Sequence, residues 1–251
     1  MKLPLLAAMK APTNSKQVPS LDEEIALLSQ GYSFIAGVDE AGRGCLAGPV
    51  VAAAVILPLG ELSPLHFSPN ECLERFAGVR DSKQVTPKER ERLYDVVLQH
   101  ALAVGVGIGS VELIDERNIL QATKCAMRDA ITQLTMPPQA LLLDAIHLPD
   151  LELLQRSIIK GDALCLSIAA ASIIAKVTRD RMMVLLHELF PAYGFAQHKG
   201  YGTEEHLTAL HKHGATPHHR RSFAPVRELY GLFQEEELNS SRMAIRSKKL
   251  G

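Results

Sequence analysis

The chain contains no tryptophan, and aromatic residues of all kinds make up only 5% of its 251 residues. Any core built from it is therefore aliphatic, and the 47% apolar content supplies enough material for one large core. Cysteine is scarce as well. Cys45, Cys72, Cys125 and Cys165 are widely spaced and form no Cys-x-x-Cys pair. That spacing argues against a disulfide framework or a zinc knuckle and suits a reducing cytosol, so the expected location is cytoplasmic. No apolar run approaches the ~20 residues needed to span a bilayer, and no membrane association is expected. Residues 3–9 are apolar but contain Pro4 and stop at Lys10, which reads as a loose tail and not a signal peptide. A strong charge of either sign is also missing. The formal net charge of −1 gives no chain-wide signal for nucleic acid, so a basic surface would have to be local.

What is present is concentrated early. Gly37-Val38-Asp39-Glu40-Ala41-Gly42-Arg43-Gly44 lies between an apolar run and Gly48-Pro49-Val50-Val51-Ala52-Ala53-Ala54-Val55-Ile56-Leu57. Two adjacent carboxylates thus sit beside a glycine-flanked arginine, between two segments that read as buried strands. Carboxylates at the end of a core strand are costly unless a cation meets them, and hard divalent metals favour carboxylate oxygen. The glycines permit close backbone approach, and the arginine offers a fork for phosphate. Neighbours in a regular strand face opposite ways, so Asp39 and Glu40 share one site only if the strand ends or bulges there.

The remaining pattern predicts an α/β fold with a mixed sheet. Ser20-Leu21-Asp22-Glu23 reads as a capping box opening a helix that ends at Gly31. Strands are expected at 34–39, 50–57, 101–110, 140–144 and 157–160. Residues 58–70 read as a loop. Helices are expected from Thr86-Pro87 to about His100, once or twice before Leu134, over 169–189, 204–212 and 225–236. Asp144 closes Leu141-Leu142-Leu143, and Asp162 follows Lys160-Gly161. Ligands of open sheets gather at the carboxyl ends of strands, where Asp39 and Asp144 fall.

At this point a resemblance becomes specific. Asp39–Gly44 with Leu46-Ala47-Gly48-Pro49-Val50-Val51-Ala52-Ala53 resembles the opening motif of type 2 ribonucleases H. Further blocks follow in the same order: Asp81-Ser82-Lys83, Asn118–Thr123, Lys160-Gly161-Asp162, Ser167–Asp180, His198–Thr203 and His219–Phe223. The likeness spans about residues 30–230. It implies an RNase H-like mixed five-stranded sheet flanked by helices, with a C-terminal helical extension. It implies an endoribonuclease that cleaves the RNA strand of RNA–DNA hybrids, and at ribonucleotides embedded in duplex DNA, leaving 5′-phosphate and 3′-hydroxyl ends. The implied cofactor is a pair of Mg²⁺ or Mn²⁺ ions on the quartet Asp39, Glu40, Asp144 and Asp162. By the same resemblance Gly42, Arg43 and Gly44 read the ribose 2′-hydroxyl, Tyr201 stacks on the next deoxy sugar, and Lys83 contacts the backbone. The expected layout is a disordered tail over 1–19, a catalytic domain over 20–190, a loop and helices over 191–236 that complete the substrate groove, and a basic tail over 237–251, in a monomer. One departure stands out: many family members carry Asp-Gly after the fourth core strand, whereas this chain has Asp144-Ala145. That bears on the local turn more than on the carboxylate.

Other features read more plainly. Six of the ten histidines lie between His198 and His219 and are expected to be loop histidines beside a basic groove, not a zinc site. Asp81 is expected to cap the turn that presents Lys83. Arg179 and Asp180 are expected to sit on a helix as structural or surface partners. Two alternatives stay open: a resolvase- or transposase-like nuclease of the same fold, and a non-catalytic hybrid-binding protein.

Overall fold

The computed structural model describes residues 18–60, 65 and 67–229. The basic tail over 237–251, nearly all of the tail over 1–19 and the end of the last helix lie outside the described residues.

The chain opens with helix α1 (Asp22–Leu28), then strands β1 (Ile35–Ala41) and β2 (Val50–Ile56). Helices α2 (Pro69–Arg75) and α3 (Pro87–His100) lead to strand β3 (Ala103–Gly109). Helices α4 (Val111–Arg117) and α5 (Ile119–Thr132) precede strands β4 (Ala140–Asp144) and β5 (Leu154–Ile158). Then come the short α6 (Gly161–Leu164), the long α7 (Leu166–Leu189), and α8 (Phe195–His198) and α9 (Glu204–His213). Residues 224–229 are helical.

The five strands form one sheet in the order β3-β2-β1-β4-β5. The β1–β2 and β2–β3 pairs are antiparallel, and β1–β4 and β4–β5 are parallel. This is the expected mixed five-stranded sheet. All seven residues of β2 are buried, because helices cover both faces and a two-sided strand has no use for alternation. On one face Ala53, Val55 and Leu57 pack with α7 and with Leu93 and Val97 of α3. On the other, Ala36, Val38, Ala52, Ala54 and Ile56 pack with Ala122, Ala126, Met127 and Ala130 of α5. The small residues of α7 bury its first half completely, which sets that helix hard against β1, the strand that carries Asp39.

Local chemistry fixes several boundaries. Thr86 accepts from the Glu89 amide with Pro87 at the first helical position, as the sequence predicts. Asn118, at φ 68°, accepts from the amides of Leu120 and Gln121 and breaks α4 from α5, so two helices fill that interval. Asp81 accepts from the Lys83 amide and caps a 3₁₀ turn at Ser82–Gln84.

Four expectations need correction. The Ser20 capping box does not form. Leu21 occupies the N-cap, Ser20 is drawn into a backbone bridge with Cys165, and Glu23 pairs with Arg156 at 2.8 Å. The loop expected over 58–70 already holds the start of α2, where Ser68 and Glu71 form a genuine capping box. Strand β5 lies earlier than expected because Lys160 turns left-handed at φ 60° and ends it, and its partly exposed edge position hid it from an apolar count. Finally, β1 neither ends nor bulges at Asp39-Glu40. Its pairing with β2 runs unbroken to Ala41↔Val51, so the turn falls one residue later, at Gly42.

Candidate active site

The four candidate carboxylates converge from three segments at one end of the sheet. Asp39, buried, sits near the carboxyl end of β1 on the α7 side. Glu40 follows it, Asp144 ends β4, and Asp162 lies buried in the first turn of α6. Each has a separate local anchor. Asp39 accepts from the Glu40 amide at 2.7 Å, and Glu40 meets Arg43 at 3.1 Å. Asp144 accepts from the Gly161 amide at 2.9 Å, and Asp162 faces Lys83 at 3.5 Å. Among the described residues no three His, Cys, Asp or Glu side chains stand as a preformed cation cage.

The carboxylates nevertheless act on one another. Burial, and then the charges of Glu40 and Asp144, push Asp39 well above the ordinary carboxylate range. Burial also raises Glu40, with Arg43 opposing and Asp144 adding. Asp162 is raised by burial and by Asp81. Burial opposes the charge on Lys83, but Asp162, Asp81 and Asp39 together hold its ammonium above its ordinary value. Such a crowd of acids is short of positive charge. One oxygen, Glu40 Oε2, is buried with no hydrogen-bond partner. An all-oxygen donor set with an unpartnered buried carboxylate oxygen fits hard divalent cations.

The glycine–arginine strip after β1 is clamped from the far end of the chain. Arg220 is fully buried, and its guanidinium donates to Gly48 O (3.0 Å), Arg43 O (2.8 Å) and Gly42 O (2.7 Å). Arg179, also fully buried, donates to Pro49 O, Lys199 O and Ala47 O. Leu46 N donates to Gly200 O, and Ala47 pairs with His219. Gly42 turns at φ 97°, where a Cβ would lie 2.0 Å from Arg179 Nε, so only glycine fits. At Gly44 a Cβ would meet nothing within 4 Å. That glycine is not demanded by internal packing, and its face is open to whatever approaches. Ser172 of α7 bonds Asp39 and Ser82, joining the Lys83 turn to the carboxylates.

Tyr201 lies beyond the strip, 41% exposed as a residue, and the Lys176 ammonium is 5.8 Å from its ring centroid. The Cys45 thiol lies beside the Tyr201 hydroxyl, and the Tyr201 backbone is held as well. Tyr201 N donates to His198 O, and Tyr201 O accepts from Thr203 N. The expectation that 198–219 holds loop histidines beside a groove is corrected in part. His198, His206 and His219 are buried and pack with Tyr193 and Phe195. Burial lowers His206 to about 4, and burial with His206 beside it lowers His219 to about 3. Their unfolded value is near the ordinary 6.5, so the folded chain holds fewer protons, and these groups withdraw stability as pH falls below about 6.5. Between pH 7 and pH 5, wild type should lose on the order of 2 kcal/mol more than His219→Asn, in which no imidazole remains at that position to be protonated. Urea unfolding of both proteins at the two pH values measures the difference, and equal losses would show that His219 does not titrate in this way.

The departure at Ala145 has a visible consequence. Ala145 takes φ 51°, a left-handed conformation, while its amide donates to Ile158 O at 3.1 Å. An alanine there is strained by roughly 1 kcal/mol. Glycine would relieve the strain but regain chain entropy on unfolding, so Ala145→Gly should stabilise by about 0.5 kcal/mol with Asp144 undisturbed. A chemical denaturation midpoint below that of wild type would contradict this reading of the turn.

The clamping roles of Arg179 and Arg220 go beyond what the sequence alone assigns them. Arg179 follows the small apolar half of α7, within Lys176-Val177-Thr178-Arg179-Asp180-Arg181, and Arg220 follows a histidine pair in a chain stretch with few acids. Ser172 gives no signal of its role within Ala169–Ala175.

A mixed sheet with acidic side chains gathered at one end and a clamped glycine–arginine strip beside them defines a nuclease of the RNase H-like class. The ribonuclease HII family model matches residues 36–226. Ribonuclease HII of Bacillus cereus strain Q1 is 53% identical over 206 residues, covering 82% of this chain and 75% of that protein. Among solved structures, ribonuclease H2 from Pyrococcus horikoshii OT3 matches with a TM-score of 0.65 and 27% identity, over 80% of this chain and 99% of that one. The Mn²⁺ complex of Bst-RNase HIII, at 18% identity and a TM-score of 0.58 over 90% of this chain and 76% of that one, shares the fold. The chain belongs to the ribonuclease HII family and is an endoribonuclease that cleaves RNA in RNA–DNA hybrids. Membership decides against the resolvase-like and non-catalytic alternatives.

Proposed function

We propose that Asp39, Glu40, Asp144 and Asp162 hold two divalent ions, Mg²⁺ or Mn²⁺, and that the chain cuts at single ribonucleotides in duplex DNA as well as in longer hybrids. The observation that carries this reading is the unpartnered Glu40 Oε2 among mutually repelling acids, beside the strip fixed by Arg220. When bound, the ions supply Lewis-acid charge at the scissile phosphate and favour ionisation of the attacking water. Asp39, Glu40, Asp144 and Asp162 orient those ions, and Ser172 and the Gly161 amide keep Asp39 and Asp144 in place. Arg43, now paired with Glu40, and Lys83, now paired with Asp162, are exposed enough to turn to substrate phosphate. The ribose 2′-hydroxyl serves recognition and not attack, which leaves 5′-phosphate and 3′-hydroxyl ends.

Gly42, Arg43 and Gly44 read that hydroxyl through backbone groups, and the open face at Gly44 supports a close approach. Tyr201 stacks on the following deoxyribose, where an added hydroxyl would crowd the ring. Its partly exposed ring on a fixed backbone supports this role. Residues 191–236 complete the groove begun by 20–190, a division supported by the clamp that Arg220 places on the strip. The chain acts as a cytoplasmic monomer. Among the described residues no helix is long and apolar enough to cross a membrane.

Tyr201→Ala tests the junction reading. Cleavage at a single embedded ribonucleotide should fall roughly tenfold more than cleavage within a long RNA–DNA hybrid, the value of one stacked sugar or base. Equal losses on both substrates with a lowered melting temperature would reduce Tyr201 to a packing residue.

A further inference from the structure

The buried histidines on the C-terminal side of Tyr201 do more than fill space. His219 Nδ1 lies 2.8 Å from Thr216 Oγ1, which already accepts from the His218 amide, and 3.0 Å from the Thr216 amide; the amide can only donate, so that nitrogen accepts and carries no proton. A neutral His219 is then protonated on Nε2, which lies 3.1 Å from His206 Nε2. His206 Nε2 must accept, and the His206 proton must sit on Nδ1, 2.8 Å from Tyr201 O. One amide at the start of the chain of bonds thus settles both tautomers. The same logic applies next door: His198 Nδ1 accepts from Gly200 N at 3.1 Å, which leaves its Nε2 to donate to Tyr193 O at 2.6 Å.

We propose that His219 and His206 form a one-way relay of neutral imidazoles, Thr216 N–H to His219 to His206 to Tyr201 O, that fixes the backbone of Tyr201 and makes both histidines positioning residues for junction reading. The proposal rests on the reading of Tyr201 given above. Both side chains are 0% exposed, so no water competes for the bonds. His219 also neighbours Arg220, which grips Gly42 and Arg43, and pairs through its backbone with Ala47. The relay therefore starts from the segment that holds the strip on one side of the junction and ends on the residue that reads the other side. The distance between the two reading elements is set by bonds rather than by packing alone. A purely packing role, with Phe195 and Tyr193 as the only partners that matter, would require no particular tautomer.

Two measurements on the full chain test this. Long-range ¹H–¹⁵N correlation spectra of wild type at neutral pH should show His219 protonated on Nε2 and His206 on Nδ1, the tautomer less common in water. His206 protonated on Nε2 would overturn the relay, whatever the variants do. The second measurement is the ratio of cleavage at a single embedded ribonucleotide to cleavage in a long hybrid, for His206→Leu, His206→Asn and Tyr201→Ala. Both His206 variants lose the bond from His219, but the asparagine amide still reaches Tyr201 O from the Nδ1 position. His206→Leu should lower the ratio roughly fivefold to tenfold, the worth of one buried hydrogen bond, and His206→Asn, which keeps the bond to Tyr201 O but not the one from His219, should fall between it and wild type. If Tyr201→Ala lowers the ratio and His206→Leu does not, the relay is wrong and the junction reading stands. If neither changes it, the junction reading fails and the positioning role falls with it.

Discussion

Asp39→Asn and Asp144→Asn are each expected to lower cleavage of an RNA–DNA hybrid by at least roughly a thousandfold, about 4 kcal/mol of transition-state stabilisation, because each removes one charged ligand from the proposed ion site. The fold should survive. Asparagine keeps an oxygen for the Glu40 amide at position 39 and for the Gly161 amide at position 144. Asp39 adds a second expectation of opposite sign. Its folded carboxyl ionises well above the ordinary 3.8, so the folded chain binds more protons than the unfolded one and loses stability as pH rises through that window. In a chelating buffer at pH 8, Asp39→Asn should therefore melt above wild type while being inactive once Mg²⁺ is restored. A variant that is both less stable and fully active would remove Asp39 from the site.

Arg220→Leu is expected to cost about 3–5 kcal/mol of stability and to depress cleavage on every substrate. Its guanidinium serves three carbonyls, at Gly42, Arg43 and Gly48, and leucine would leave Arg43 O and Gly48 O without a donor and Gly42 O with only the Cys45 amide at 3.4 Å. Burial lowers Arg220 to about 10, so it remains charged at neutral pH. Arg220→Lys keeps a cation but has no planar fork to serve three acceptors, and should fall between the two. The pattern differs from that of Tyr201→Ala: loss of the clamp displaces the strip and harms all substrates, whereas loss of the ring harms one class. Urea unfolding with parallel assays on both substrates separates them, and an Arg220→Leu protein of wild-type stability would contradict the clamp.

Much of this architecture was legible in the chain before folding. Val50–Leu57 could only be a strand covered on both faces, and Thr86-Pro87 could only open a helix, because apolar continuity and capping chemistry are local properties. The four carboxylates were legible for the same reason, each sitting beside glycine or at the end of an apolar run. What escaped was tertiary. Ser20 has the right spacing to cap α1 but is claimed by a bridge to Cys165, which no window of a few residues reveals. The strand carrying Asp39-Glu40 seemed to need a break, yet it stays regular to Ala41, and carboxylates on alternate faces still interact because the sheet ends there. His198, His206 and His219 looked like a surface cluster because histidine is usually half exposed. Their burial depends on the packing of Tyr193 and Phe195 across a chain reversal. The partners of Arg179 and Arg220 are backbone carbonyls far along the chain, which no local window names.

The most direct test uses wild-type full-length chain and a DNA duplex holding one ribonucleotide, incubated with Mg²⁺, with Mn²⁺, or with excess chelator, and the new ends mapped. The account expects one cut at the ribonucleotide with either metal, 5′-phosphate and 3′-hydroxyl termini, and no cut in chelator. Cleavage that persists in chelator, or that leaves a 2′,3′-cyclic phosphate, would make the ribose hydroxyl the nucleophile and contradict the carboxylate-held metal site.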